Sequence, residues 1–228
     1  MSRKLLQVAG ELLVTASAVI FLYLIYNAWF TNITAQAQAT ELAKQIEQSL
    51  DLHDAKPLNT EENATSSSNQ SAAAKALGLL YIPRLKDQVW GLPIVEGVGH
   101  RELSLGVGHY SSTNLPGEPG NFAIAGHRAT NGEPFAYFEK LQAGDLVYVR
   151  TEAGWFEYRL TANQKIQESE IWVLSDSPEG LSIEPGAALI TLTTCDPRWN
   201  SVRRWAWWGT LTSSYVDGEI PSAVGEEG

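Results

Sequence analysis

From Gly78 onward the chain breaks into short apolar, β-branched and aromatic runs, each cut off by Gly or Pro. Runs this short, bounded by turn formers, predict strands and exclude a helical bundle. Residues 79–82, 88–98, 121–126, 146–150, 155–160, 170–174, 188–195 and 204–211 give eight of them. Eight evenly spaced strands in a 228-residue chain predict one all-β barrel with appendages. Residues 151–154, a four-residue link ending in Gly between two alternating runs, predict a hairpin. Residues 134–141 are the one short helix expected inside the barrel.

The N-terminal third is built differently. Arg3 and Lys4 precede residues 12–30, nineteen positions without a charge. At ~1.5 Å per residue such a helix spans ~28 Å, close to the hydrocarbon thickness of a bilayer. Tyr23, Tyr26 and Trp29 lie in its far half, where aromatic side chains suit the membrane interface. The basic flank is N-terminal, so residues 1–32 read as a cytoplasmic tail plus anchor, with the rest outside the cell. A cleavable signal peptide is the competing reading, because Ala35-Gln36-Ala37 and Ala37-Gln38-Ala39 fit a small-x-small site. Signal h-regions are shorter, ~7–15 residues, which favours an uncleaved anchor.

Residues 33–77 read as an extracellular stalk. Its first part is rich in helix formers, with Leu42, Ile46 and Leu50 at four-residue spacing. Its second part, 51–76, holds almost no large apolar side chain and is expected to be disordered. The barrel then occupies 78–214, and 215–228 form an acidic flexible tail.

Net charge is −10 and no basic stripe is visible, which argues against a nucleic-acid partner. The chain has one cysteine, so it forms no internal disulfide. That cysteine, Cys195, ends the strand-forming run 188–195 and is followed by Asp196-Pro197, which stops a strand. A lone cysteine is most often a small buried hydrophobe. Its company points elsewhere: residues 121–126 lead into His127, and the strand after Cys195 opens with Arg203-Arg204. Thiol, imidazole and guanidinium at three strand ends are the minimum set for covalent acyl transfer.

Thr191-Leu192-Thr193-Thr194-Cys195, Gly126-His127 and an Arg nine residues after the Cys resemble the sortases, cysteine transpeptidases of Gram-positive cell surfaces. Gly106-Val107-Gly108-His109-Tyr110 and Leu115-Pro116-Gly117 are also similar to this family, and Cys-Asp-Pro-Arg looks most like its class E members. The resemblance covers residues 78–213 and agrees with an eight-stranded sortase-like β-barrel. It implies Cys195 as nucleophile, His127 as acid and base, Arg204 as oxyanion donor, and Thr193, Thr194, His109 and Tyr110 in substrate binding. It also implies surface proteins with a C-terminal sorting signal as substrates, Leu-Ala-x-Thr-Gly-like or Leu-Pro-x-Thr-Gly. The acceptor would be an amine of the wall precursor or of a pilin.

No cofactor or metal is expected. A zinc site of His109, His127 and Cys195 would lack paired cysteines and tight His spacing. Glu168, Glu170, Asp176, Glu179 and Glu184 surround the loop before the nucleophile strand, where some sortases bind calcium; here they read as solvated charge. Asp196 departs from the His many class E members carry, and an acid so near the thiol would raise its pKa. An L,D-transpeptidase would show Ser-x-Gly-Cys instead of Thr-Thr-Cys. The non-enzymatic alternative is a tethered β-domain binding wall components through its Trp-rich last strand. Along that strand Arg204, Ala206 and Trp208 should share one face and Trp205 and Trp207 the other.

Overall fold

The computed structural model describes residues 3–26, 31–54, 75–215 and 219–225. Eight strands close into a barrel in the order β1-β2-β3-β4-β7-β8-β6-β5. They are β1 (Ala76–Tyr81), β2 (Trp90–Glu96), β3 (Val107–His109), β4 (Gly120–Ala125), β5 (Leu146–Thr151), β6 (Gly154–Ile166), β7 (Ala188–Asp196) and β8 (Arg203–Tyr215). Neighbours pair antiparallel except β2 with β3 and β4 with β7, which run parallel. Alternating residues fill the interior: Leu80, Ile94, Phe122, Ile124, Val147, Val149, Tyr158, Leu160, Ile190, Leu192 and Trp207 form one cluster. Closure leaves no strand edge unpaired, which removes the usual route to edge-to-edge aggregation.

The expected alternation of β8 holds. Trp205 and Trp207 pack on the barrel core, whereas Ala206 and Trp208 belong to a separate cluster with Ile166 and Val173 on the outer face. Two expectations were misplaced. Residues 170–174 are not a strand: Ile171–Leu174 is a 3-10 helix. A run of four apolar residues does not distinguish the two, and here the buried Asn121 side chain donates to the carbonyls of Val173 (3.3 Å) and Ser175 (3.0 Å), fixing the turn against the wall. The missing strand is β3, only three residues long and centred on a glycine, so it carries no periodic signal. The hairpin is tighter than its four-residue link suggested, because Thr151 and Gly154 already pair and only Glu152 and Ala153 turn. Residues 134–141 form turns and a 3-10 helix, Phe138–Lys140.

Helix α1 (Arg3–Ile25) is long and apolar enough to cross a membrane, with a mean hydropathy of 2.1 in its best window. It begins well before the expected 12–30 span, whose last residues, 27–30, lie outside the described residues. Helix α2 (Thr31–Asp54) lies against the barrel; the sequence reading had it rising from the membrane as part of a stalk. Ile46 and Leu50 are buried with Leu79, Tyr81, Tyr148 and Trp155, and Leu42 and Ala43 pack beside them. Arg150 donates to Asp51 at 2.7 Å. Four-residue spacing therefore marks a docking face. Of the stretch 51–76 expected to be disordered, 55–74 lies outside the described residues, whereas 51–54 continue α2 and Ala76 opens β1. Of the tail, 219–225 is described: Pro221 is buried, Ser222–Gly225 form one helical turn, and Val224 packs on the α2 cluster.

Leu50 is 3% exposed and Leu52 74% exposed. Leu50→Ala should therefore cost ~2–4 kcal/mol, and Leu52→Ala within ~0.5 kcal/mol of nothing. Urea unfolding followed by tryptophan fluorescence reads this, because Trp155 shares the cluster.

Candidate active site

Parallel pairing brings the ends of β4 and β7 to the same end of the barrel. Ala125 stands opposite Thr193, so beyond that rung Gly126-His127 leaves β4 beside Thr194-Cys195, which stays paired with β8. The Gly126 N–H donates to the Thr193 carbonyl at 3.0 Å, and the Thr194 hydroxyl donates to the Gly126 carbonyl at 2.7 Å. Gly126 has no room for a side chain: a Cβ there would stand 2.6 Å from the Phe135 ring. On the other side β8 runs antiparallel, and Cys195 pairs with Arg204 while Asp196 pairs with Arg203.

Cys195, His127 and Arg204 line one cavity of about 420 Å³. Its apolar part is formed by Val98, Leu103, Ile166, Ile171, Val173 and Leu174. Tyr110, Thr193 and Thr194 line it as well, so three of the four residues assigned to substrate binding reach it. The Thr193 hydroxyl donates to the Ile124 carbonyl (3.2 Å) and stands 3.0 Å from the Tyr110 hydroxyl. Burial raises the Tyr110 phenol above its ordinary value, so it stays a hydrogen-bond donor.

His109 is placed elsewhere, and it is not among the residues lining the cavity. It is 2% exposed and stacked on Phe122 at 5.3 Å. Its Nδ1 lies 3.1 Å from Glu96, and its Nε2 lies 3.1 Å from both the Asn114 carbonyl and the Thr113 hydroxyl. A ring with both nitrogens occupied on β3 holds β2 and the following loop together.

Cys195 is half-buried. Burial, and next the charge of His100, lower the His127 pKa below its ordinary value, so the ring is neutral at pH 7. The two imidazoles lie edge to face with centroids 6.4 Å apart. Arg204 donates to the Ser201 and Arg203 carbonyls at 3.1 Å and to Glu168 at 2.6 Å. Glu168 is 73% exposed, and an exposed pair of this kind contributes little, so an incoming acceptor can displace it.

Asp196 is engaged by two cations. Adjacent strand residues face opposite sides, so its carboxylate turns away from the thiol, and the residue is 3% exposed. Arg128 reaches it at 2.8 Å and Lys165 at 3.2 Å, and both cations stack on Trp205, at 5.2 and 4.7 Å from the ring. Burial alone would raise this carboxyl, but hydrogen bonds from Arg128 and Lys165, and their charges, outweigh it and hold the pKa below its ordinary value. Arg128 also donates to the Cys195 carbonyl (3.3 Å) and pairs with Glu139 (3.0 Å). Sequence reasoning passed over Arg128, Lys165 and Asn131, and it read Glu168 as solvated charge, whereas Glu168 pairs with Arg204. Only Arg128, next to His127, carried a hint.

Among the described residues no group of three or more His, Cys, Asp or Glu is placed to hold a metal ion. The loop acids serve the protein: Glu168 pairs with Arg204, Glu170 accepts from the Gln167 N–H and the Trp172 indole, and Asp176 accepts from the Asn121 N–H.

A closed eight-stranded barrel with thiol, imidazole and guanidinium at one end defines the class of cysteine acyl-transfer enzymes. Residues 80–212 match the family described as Sortase domain. Sortase SrtE1 of Streptomyces coelicolor is 32% identical over 210 residues, which cover 89% of this chain and 56% of the relative. The chain thus spans little more than half the length of that relative. Sortase E from Streptomyces avermitilis is 36% identical with a TM-score of 0.58, covering 66% of this chain and 97% of that one. Sortase E1 from S. coelicolor with a tripeptide in the active site is 34% identical with a TM-score of 0.60, covering 66% and 96%. The chain belongs to the sortase family of cysteine transpeptidases, and it is most like the class E members.

The Asp196 ion pairs predict a specific pH dependence. A folded pKa below the unfolded value, ~3.9, gives stability that is present above that pH and lost as pH falls through the folded value. The wild type should therefore be more stable than Asp196→Asn at pH 7, with the gap closing below about pH 4. A gap of constant size from pH 7 to pH 2 would assign the effect to shape and not to charge.

Proposed function

We propose that this chain is a membrane-anchored sortase that cleaves a C-terminal sorting signal through a thioester on Cys195 and passes the acyl group to an amine. The observation that carries the reading is the convergence of Cys195, His127 and Arg204 on one cavity with an apolar wall. Helix α1 anchors the chain, uncleaved, with Arg3 and Lys4 on the cytoplasmic side and the barrel outside the cell. The wall suits the leading Leu of a Leu-Ala-x-Thr-Gly-like signal, in keeping with the likeness to class E enzymes.

The chemistry follows from the three groups. The Cys195 thiolate attacks the scissile carbonyl, and the charge that develops on its oxygen is met by the Arg204 guanidinium in place of Glu168. His127, as imidazolium, gives its proton to the departing amine, and the C–N bond breaks to leave the thioester. An incoming amine of a wall precursor or a pilin then loses a proton to His127, attacks the thioester and releases the thiolate. Because burial lowers the His127 pKa, the imidazolium is the minority form at neutral pH.

The test is kcat/KM on one sorting peptide for Cys195→Ala, His127→Ala, His109→Ala, Arg203→Ala, Arg204→Ala and Arg204→Lys, with folding checked by circular dichroism. The Cys195 and His127 variants should be inactive. Both Arg204 variants should lose ~10²–10³-fold, since one oxyanion donor contributes that much and Lys replaces a planar fork with a point charge. Arg203→Ala should stay within ~3-fold, as an exposed side chain on the opposite face does. Retained cleavage by Cys195→Ala, or a crippled Arg203→Ala beside an active Arg204→Ala, contradicts the assignment.

A further inference from the structure

The loop that follows His127 contains an unusual turn. Asn131, Gly132 and Glu133 all adopt positive φ, at 51°, 81° and 49°, and only one of the three is glycine. Left-handed residues in series persist where their surroundings hold them. Within the loop, the Glu133 N–H donates to the Thr130 carbonyl (3.1 Å) and the Phe135 N–H to the His127 carbonyl (3.0 Å). From α2, the Asn32 side chain accepts from the Gly132 N–H (3.2 Å) and donates to Glu133 Oε1 (2.5 Å). From the loop between β7 and β8, Arg198, three residues beyond Cys195, pairs with Glu133 Oε2. The turn is thus tied both to the anchor-side helix and to the segment that follows the thiol.

What the turn presents is the Asn131 amide, 3.2 Å from His127 Nε2. The amide beside Nε2 fixes the ring plane, and with its oxygen turned to Nε2–H it keeps one proton on Nε2 and leaves the Nδ1 lone pair for proton transfer. We propose that Asn131 is the positioning residue for the His127 imidazole. Asn32, Glu133 and Arg198 form the brace that holds it, so α2 is part of the catalytic apparatus as well as a link to the membrane. This rests on the reading of His127 as the acid and base.

The experiment uses the full chain in detergent and two readouts, kcat and KM on a sorting peptide and the pH dependence of Cys195 alkylation by iodoacetamide. The second reports the coupled titration of thiol and imidazole without any substrate. Asn131→Gly keeps the left-handed backbone and removes the amide. It should lower kcat ~10- to 100-fold with KM within ~2-fold, the effect of a misplaced catalytic group. Asn131→Asp tolerates the same φ but sets a carboxylate beside the ring, which favours imidazolium and should move the His127 limb of the alkylation profile up by about one unit. Asn32→Ala, outside the cavity, should lower kcat in the same sense but less, with an unchanged melting temperature. Wild-type kcat in Asn131→Gly together with a wild-type alkylation profile in Asn131→Asp overturns the proposal, and wild-type kcat in Asn32→Ala removes α2 from it. If the parent chain itself fails to cleave the peptide, the acid-base reading fails instead, and the alkylation profiles still decide whether Asn131 couples to His127.

Discussion

The parallel pairing of β4 with β7 is the contact on which everything at the site depends. Two neighbouring strands running the same way end together, and here one end carries Gly126-His127 and the other Thr194-Cys195. The pairing is reinforced at its last rung by the Gly126 N–H to Thr193 carbonyl bond, the Thr194 hydroxyl to Gly126 carbonyl bond, and the packing of Phe135 against Gly126. Antiparallel β8 then delivers Arg204 directly opposite Cys195. Three chemically distinct groups, 68 and 9 residues apart along the chain (195 − 127 and 204 − 195), are thereby brought to one cavity by strand pairing.

Charge near the thiol is managed by the alternation of the same strand. Asp196 follows Cys195 directly, yet its carboxylate is buried and is met by Arg128 and Lys165, both lying on Trp205. Arg128 also pairs with Glu139, so the charge of Asp196 is neutralised within its own cluster of ion pairs. The imidazole is treated in the opposite way: burial and the nearby His100 disfavour its charged form.

Much of this was legible in the chain. The β7 run ending in Cys195 is continuously apolar and β-branched and is buried almost throughout, and the alternation of Arg204, Ala206 and Trp208 against Trp205 and Trp207 survives folding because the two faces of β8 pack into different clusters. What was not legible depended on partners distant in sequence. The three-residue β3 exists only because β2 and β4 flank it, and Ile171–Leu174 turns because Asn121 takes its carbonyls. His109 and His127 look alike as Gly-His pairs in the sequence. One proves to have both nitrogens occupied inside the protein, while the other opens on the cavity. The four-residue spacing of α2 was visible, but that its apolar face meets the barrel, and that Asn32 reaches the His127 loop, depends on contacts about 100 residues away.

The central claim, that Cys195 carries the acyl group, is tested most directly by intact-mass and peptide mapping of the full chain incubated with a Leu-Ala-x-Thr-Gly peptide in the absence of an amine acceptor. The expected result is an adduct of the N-terminal peptide fragment on Cys195 that hydroxylamine removes, as a thioester requires. Cleavage of the peptide with no adduct on Cys195, or a hydroxylamine-sensitive adduct on any other residue, would contradict it.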